Sequence, residues 1–111
     1  DSEVDWALLH NHRLLLGEQK VQDLLRLLHS SIIAHRAALG EAIAADDCTE
    51  VAHLAHRLAG SSDSLGLRGL AGGLRELEEA AVATAEVRVR GLAVGVDEQM
   101  GRALAALEGL M

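Results

Sequence analysis

Apolar side chains recur every three or four positions along most of this chain, which is the spacing of amphipathic α-helices. A short leader rich in apolar residues comes first, and a longer periodic segment follows it. Three further segments carry the same period, with brief interruptions between them. The pattern predicts five helices, over residues 3–12, 18–45, 48 to 62 or 64, 67–81 and 86–108.

Polar residues and glycines mark where these helices should begin, bend or end. Asp47 precedes the third helix as an N-cap, and Glu50 is placed to reach back to it in a capping box. Gly66 is the turn residue expected after that helix. Gly40 weakens the last turns of the second helix, so we expect a bend or break near it.

The composition favours a purely helical fold. The chain contains no proline, and its 111 residues are rich in alanine, leucine, glutamate and arginine, which favour helices. Four amphipathic helices with short connections pack most economically as an antiparallel bundle. We therefore predict an all-α, antiparallel up-down four-helix bundle, formed by residues 1–111 as a single domain, with the short N-terminal helix capping it. Trp6, the only aromatic residue besides histidine, is expected to plug one end.

The charge and the cysteine content narrow the range of functions. A formal net charge of −7 leaves no basic stripe for binding nucleic acid. Cys48 is the only cysteine, which fits a reducing compartment. No apolar run approaches the roughly 20 residues of a membrane span, so we expect no direct membrane contact and a cytoplasmic location. We also expect the sequence to be one domain of a longer protein, which could itself be anchored in the inner membrane.

The third helix presents a histidine on the side away from its apolar stripe. At about 100° per residue, its apolar positions and Ser62 cluster within about 60° of one direction. His53, His56, Arg57 and Gly60 fall roughly opposite that direction. An exposed glycine in a helix costs about 1 kcal/mol relative to alanine. Close approach of something large to the neighbouring imidazole would account for it.

The hairpin of the third and fourth helices predicts a partner for His56. If the chain turns near Gly66, His56 lies opposite residues 75–79. Glu78 should then emerge at the edge of the helix interface, next to the core residue Leu77. A carboxylate that accepts a hydrogen bond from one ring nitrogen fixes the tautomer and leaves the other nitrogen as an exposed nucleophile. This arrangement suits covalent phosphoryl transfer through histidine.

The sequence around His56 resembles the histidine-containing phosphotransfer (HPt) domain family, whose pattern is close to A-H-x-L-K-G-S-S-x-x-L-G-x-x-x-L followed by L-E. The resemblance rests on A-H-R-L-A-G-S-S-D-S-L-G-L-R-G-L at residues 55–70 and on L-x-x-L-E at residues 74–78. It implies a four-helix bundle in which His56 is the phosphoacceptor. It also implies that Gly60 leaves room for the phosphoryl group and a docking protein, and that Glu78 orients the histidine.

The same resemblance implies the partners and the cofactors. Such domains accept a phosphoryl group from an aspartate of one receiver domain and pass it to an aspartate of a second, as intermediates of two-component phosphorelays. They have no nucleotide site and no metal of their own, and magnesium is expected only in the receiver. We therefore expect a monomeric carrier that is not itself an enzyme, belonging to a hybrid histidine kinase. Receivers of a sensor kinase and of a response regulator would dock on an apolar patch around His56, formed by the leader and the second helix.

One position departs from the family pattern. The family usually has lysine three residues after the histidine, where this chain has Ala59. A phosphohistidine carries roughly two negative charges, which a nearby ammonium group would help to hold. We hypothesise that Arg57 or Arg75 supplies the positive charge instead.

Two other functions compete with this interpretation. A bundle that lost phosphotransfer together with the lysine would act only in scaffolding or dimerisation. The dimerisation and phosphoacceptor helices of a histidine kinase also expose a histidine, but they build their bundle from two chains, so a monomeric state favours the carrier. A zinc site at His53 and His56 lacks a third and fourth ligand at fixed spacing. We therefore predict no metal site.

Overall fold

A computed structural model describes residues 4–111 of the chain, and no β-strand occurs within that range. The helices are α1 (Trp6–Leu16), α2 (Glu18–Ala44), α3 (Cys48–Ser64), α4 (Arg68–Val82) and α5 (Glu86–Leu110). α2 to α5 begin and end close to the predicted positions. α1 differs from the prediction, because it ends at Leu16 rather than at His12. Gly17, which follows Leu16, takes a φ of 88° and ends the helix. The predicted start at Glu3 lies outside the described residues.

α2 to α5 form a closed four-helix bundle. α2 packs against α3 and α5, and α4 packs against the same two helices, so each helix contacts two neighbours. Consecutive helices are joined by residues 45–47, 65–67 and 83–85, and connections this short make neighbouring helices antiparallel. The 27 residues of α2 span about 40 Å and follow the long axis of a molecule that measures 43 × 20 × 19 Å. The predicted bundle is confirmed.

The interior of the bundle is built mainly from leucine and alanine. The largest side chains that are fully buried include Leu25, Ile32, Leu58, Leu74 and Leu77, and burial of each contributes about 1.5 to 3 kcal/mol. α2 is not interrupted at the predicted weak point, because buried residues on both sides keep it packed on the core. None of the helices in the described range is long and apolar enough to cross a bilayer.

All three connections of the bundle end the preceding helix in the same way. The middle residue of each has a positive φ, which is 52° at Asp46, 89° at Gly66 and 56° at Thr84. The N–H that follows donates to the carbonyl five residues earlier, at 2.8 to 2.9 Å. This is the Schellman motif, in which glycine is the usual residue at the positive φ. The sequence pattern therefore indicated only the turn at Gly66.

Asp47 caps α3 as predicted, because its Oδ1 accepts a hydrogen bond from the N–H of Glu50 at 3.1 Å. The reciprocal half of the predicted capping box is wrong. The N–H of Asp47 donates instead to the carbonyl of Ala42 at 2.9 Å, since the Schellman motif already uses it. The Glu50 side chain is thereby left exposed beside the α2–α3 connection.

α1 covers the end of the bundle where α3 turns into α4. The N–H of Asp5 donates to the carbonyl of Gly66 at 2.7 Å, and the Asp5 carboxylate caps α1. Val4 and Leu9 provide the buried apolar contacts at this end. The predicted role of Trp6 is wrong, since this residue is 51% exposed. Trp6 is the first residue of α1, and side chains in a helix lean towards its N-terminus, so no preceding turn of α1 is available to cover the indole.

An ion pair on the surface joins α2 to α5 and makes the stability of the bundle depend on pH. Arg36 donates to both carboxylate oxygens of Asp97, at 2.7 and 3.0 Å. These hydrogen bonds lower the pKa of Asp97 below its ordinary value. A carboxylate with a lowered pKa stabilises the folded state above its ordinary pKa, and this contribution is lost as the pH falls through the lowered value.

We expect Asp97→Asn to reduce the free energy of unfolding by less than about 1 kcal/mol at neutral pH, because both partners are exposed. The difference from wild type should disappear as the pH falls from about 5 to about 2. Urea denaturation at the two pH values measures it. Asp23→Asn is the control, since Asp23 pairs with Arg26 of its own helix. An equal loss of stability at both pH values would contradict the assigned cause.

Candidate functional site

α3 turns its polar side outward, as its sequence predicts. His53, His56, Arg57 and Gly60 are exposed, and the His56 side chain retains 74% of its accessible surface. The opposite side of α3 is buried in the core and consists of Val51, Leu54, Ala55, Leu58, Ala59 and Ser62. The imidazole of His56 therefore stands where a second protein can reach it.

Glu78 on α4 holds the His56 ring from one side. Nδ1 of His56 lies 3.0 and 3.2 Å from the two carboxylate oxygens of Glu78, which is the contact predicted from the hairpin. An ionised carboxylate can only accept hydrogen bonds, so Nδ1 must carry the proton. The neutral ring then keeps the lone pair of Nε2 free and turned away from Glu78. The pair presents an oriented nucleophile to solvent.

The packing of α3 on α4 brings these two side chains together across 22 positions of sequence. The three-residue connection at Gly66 sets the helices antiparallel, and the small side chains of Ala55 and Ala59 on α3 are buried in the interior of the bundle. Leu77 lies in the core, so Glu78 beside it reaches the edge of the interface. Its side chain is only 26% exposed, which limits the positions that the carboxylate can take.

An open groove of about 850 Å³ lies beside the imidazole. Its walls are the first half of α3, the last turn of α4 and the connections that flank them. His53, His56, Arg57 and Glu78 line the groove together with several acidic residues. Two of these carboxylates have other contacts, because Asp46 pairs with Arg90 at 2.6 Å and Asp47 caps α3.

Gly60 lies one turn after His56 on the outside of α3. A Cβ built on it would meet no atom within 4 Å, so no contact within the described residues requires a glycine there. An alanine would stabilise an exposed helical position by about 1 kcal/mol. The space above Gly60 is thus open to whatever approaches His56. Ala59, the position at which the family usually has lysine, precedes Gly60 and is only 2% exposed.

The two arginines considered as substitutes for the family lysine have different surroundings. Arg57 lines the same groove as His56, and its side chain forms no ion pair with any residue of the range 4–111. Arg75 donates to the carboxylate of Asp63 at 3.2 Å. Arg57 is therefore the better placed of the two to meet a charge on the imidazole.

An apolar surface extends from the far side of α3 over α2 and α1. Leu14, Leu15, Leu16 and Leu27 are exposed. Leu16 and Leu27 line a groove of about 400 Å³ together with Ser61 and Ser64 of α3. We call these four leucines the apolar surface. The sequence predicted an apolar patch on the leader and the second helix, but it missed three of the leucines because the predicted leader ended at His12.

The remaining candidate side chains have ordinary structural surroundings. His12 hydrogen bonds to the carbonyl of Ser64 at 2.8 Å, His29 contacts Glu108 at 2.9 Å, and His35 contacts the carbonyl of Ser31. Cys48 is a half-buried free thiol. Within the described part of the chain, no group of three or more histidine, cysteine or acidic residues is arranged to hold a metal ion.

An all-α bundle with an exposed histidine that is oriented by a carboxylate on the next helix is the architecture expected of a histidine phosphotransfer module. Comparisons with known proteins agree. A family model described as the Hpt domain matches residues 23–109. This chain therefore belongs to the Hpt domain family, and the resemblance found in its sequence is confirmed. Membership of the family assigns the chain a phosphotransfer role in a two-component phosphorelay.

Two individual proteins are similar to this chain. The crystal structure of histidine-containing phosphotransfer protein B (HptB) from Pseudomonas aeruginosa matches it with a TM-score of 0.90 and 23% identity, covering 96% of this chain and 92% of HptB. That likeness supports the fold. The sensor histidine kinase AruS of Pseudomonas aeruginosa is 42% identical over 90 residues, which are 81% of this chain. This chain spans about 9% of the length of AruS.

Proposed function

We propose that the domain is a phosphorelay intermediate that accepts a phosphoryl group on Nε2 of His56 from a receiver aspartate. It then passes the group to an aspartate of a response regulator. The observation that carries this proposal is the contact between Nδ1 of His56 and Glu78, since it leaves Nε2 unprotonated and exposed. An exposed imidazole with a free ring nitrogen is suited to in-line attack on a phosphorus atom.

Transfer of the phosphoryl group from the receiver aspartate to His56 needs no third reactant. The lone pair of Nε2 attacks the phosphorus of the aspartyl phosphate, the P–O bond to the aspartate breaks, and its carboxylate leaves with the electron pair. The new P–N bond places positive charge on the ring, which still carries its proton on Nδ1. The Glu78 carboxylate offsets this charge at 3.0 Å. The second transfer is the same step in reverse.

The carrier needs little chemistry of its own. In this proposal the receiver supplies magnesium and the groups that activate its aspartate, so the Hpt domain is a substrate and product of the receivers rather than an enzyme. A sensor kinase receiver is the proposed donor, and the parent chain is a hybrid histidine kinase whose Hpt domain works in the cytoplasm. We propose no metal or other cofactor bound by the domain itself.

The receiver is proposed to dock over the apolar surface and the outside of α3. The apolar surface supplies four exposed leucines, of which Leu16 and Leu27 line a groove with Ser61 and Ser64. Gly60 leaves the path towards His56 open. Burial of these side chains at an interface would contribute about 25 cal/mol per Å². All four helices of this bundle come from one chain, which favours a monomeric carrier over a kinase dimerisation domain.

Incubation of the domain with a phosphorylated receiver and magnesium tests the proposal. We expect the chain to gain a phosphate that is labile in acid and stable in base, and to return it to a second, unphosphorylated receiver. Phosphate that remains on the first receiver would contradict the carrier function and favour a scaffold. An acid-stable phosphate would instead indicate a serine or threonine ester.

Replacement of Glu78 with glutamine should slow phosphoryl acceptance by about tenfold. The amide oxygen still accepts the hydrogen bond from Nδ1, but a hydrogen bond to a charged group is worth about 1 to 1.5 kcal/mol more than a neutral one. The initial rate of transfer from a phosphorylated receiver measures the effect. Glu76→Gln is the matched control, since Glu76 is an exposed residue of α4 outside the His56 groove. Equal rates for both variants would remove Glu78 from the proposed mechanism.

A further inference from the structure

The groove beside His56 extends towards the start of α3 rather than towards its end. All but one of the α3 residues that line it are His56 itself or precede it, the exception being Arg57. Side chains in a helix lean towards the N-terminus and cover the preceding turn. The ring of His56 therefore lies over the turn that contains His53. Ala59 and Gly60, which follow His56, do not line the groove.

His53 is the residue of that turn that can carry positive charge. It lies three positions before His56, a spacing at which Cβ atoms on a helix are about 5 to 6 Å apart. His53 is exposed, lines the groove with His56, and forms no hydrogen bond or ion pair through its side chain with the described residues. The ring is thus free to turn towards a group attached to Nε2 of its neighbour.

The other charged groups around the groove are mostly acidic. Asp46 and Asp47 come from the α2–α3 connection, where Asp46 is paired with Arg90 of α5 at 2.6 Å. Glu50 comes from the first turn of α3 and Glu78 from α4, whereas Arg57 is the only arginine or lysine that lines the groove within the described residues. A phosphoryl group on His56 would add about two negative charges to these carboxylates. Repulsion among them would weaken the phosphorylated state unless cations stand close by.

We propose that His53, when protonated, stabilises the phosphoryl group on His56 and so makes the retention of phosphate by this domain depend on pH. Histidine is the side chain that changes charge in the neutral range of pH. Since Ala59 replaces the family lysine, His53 and Arg57 hold the phosphoryl group from the other side of the imidazole. This inference rests on the proposed phosphorelay function and concerns the same site.

The test compares wild type with His53→Gln and His53→Lys at about pH 8 and about pH 6. The measured quantity is the equilibrium ratio of phosphate on the domain to phosphate on its receiver, always relative to wild type at the same pH. One unit charge about 6 Å from a dianion in water changes such an equilibrium by about tenfold at low salt, and by about threefold when salt at physiological concentration screens the charges. His10→Gln is the matched control, because His10 is an exposed histidine of α1 outside the groove.

At pH 6 we expect His53→Gln to lower the ratio by about three- to tenfold, and at pH 8 by less than about twofold. His53→Lys should restore the wild-type ratio at pH 6 and exceed it at pH 8, since lysine stays charged at both. Equal ratios for wild type and His53→Gln at pH 6 would overturn the inference. So would equal losses at both pH values that lysine does not rescue, since those indicate a structural role.

These outcomes separate the inference from the function on which it rests. If His56 gains phosphate normally but the phosphate ratio is the same in wild type and in both variants of His53, only the role of His53 is overturned. If wild type gains no phosphate from any receiver at either pH, the phosphorelay function fails, and the role of His53 fails with it. Urea denaturation of the variants checks that the exposed substitution leaves the fold unchanged.

Discussion

Glutamine in place of His56 is expected to abolish acid-labile phosphorylation of the domain without unfolding it. The amide of glutamine is not a nucleophile, so no P–N bond can form, and transfer should fall to background. The His56 side chain is 74% exposed and its one hydrogen-bonded partner lies at the surface. The free energy of unfolding should therefore change by less than about 1 kcal/mol. Phosphate transfer and urea denaturation, measured on the same preparation, test both halves of the expectation.

His10→Gln serves as the control for this variant as well, since it removes an exposed histidine from α1 and leaves α3 intact. Acid-labile phosphate that persists in His56→Gln would show that another histidine accepts the group. His53 would be the first to examine, because it lines the same groove. If His56→Gln loses transfer because the domain unfolds, urea denaturation will show a large loss in the free energy of unfolding, which would contradict the expectation.

The largest effect on stability is expected for Leu77→Ala. Leu77 is fully buried in α4, and truncation of a buried leucine to alanine costs about 2 to 5 kcal/mol. Domains of this kind are stabilised by about 5 to 15 kcal/mol in total, so the variant loses a large share. Leu77 is adjacent to Glu78, and a cavity beneath this turn of α4 also loosens the carboxylate that orients His56.

The free energy of unfolding from urea denaturation measures this loss. Leu15→Ala makes the same chemical change at a residue that is 82% exposed, and it should alter the free energy of unfolding by less than about 0.5 kcal/mol. Similar losses in the two variants would mean that the packing around Leu77 is not as described. Phosphoryl acceptance by Leu77→Ala, measured well below its unfolding midpoint, reports on the position of Glu78.

The site could be predicted from sequence because two regular features determine it. The helical period fixes which side of α3 faces solvent, and a short connection at Gly66 fixes which residues of α4 lie opposite His56. The N-cap at Asp47 was identified from its residue type and position, because aspartate directly before a periodic segment is typical of a helix start. These elements depend on local spacing, and local spacing is what a sequence displays directly.

The predictions that were wrong concern places where contacts between helices, rather than local spacing, determine the structure. Asp46 and Thr84 adopt positive φ values although neither is glycine, because the packing of the flanking helices requires Schellman turns at both places. Trp6 was predicted to plug one end of the bundle, but Asp5 is the N-cap of α1, so Trp6 is the first residue of that helix and is half exposed. The consecutive leucines at 14–16 show no helical period, so the predicted α1 ended too early. The groove towards His53 depends on how far α4 extends past His56, which no single-helix pattern reveals.

The placement of the His56 imidazole outside the hydrophobic interior separates two kinds of constraint on the sequence. The interior needs apolar volume, which different combinations of aliphatic residues can supply. The proposed phosphoryl transfer needs one ring nitrogen, one carboxylate and free space on the surface. A chain can therefore replace most of its residues and keep its shape, as the 23% identity and TM-score of 0.90 with HptB illustrate. New recipients for the phosphate can be acquired by changing surface side chains alone, so signalling specificity can evolve without endangering the fold.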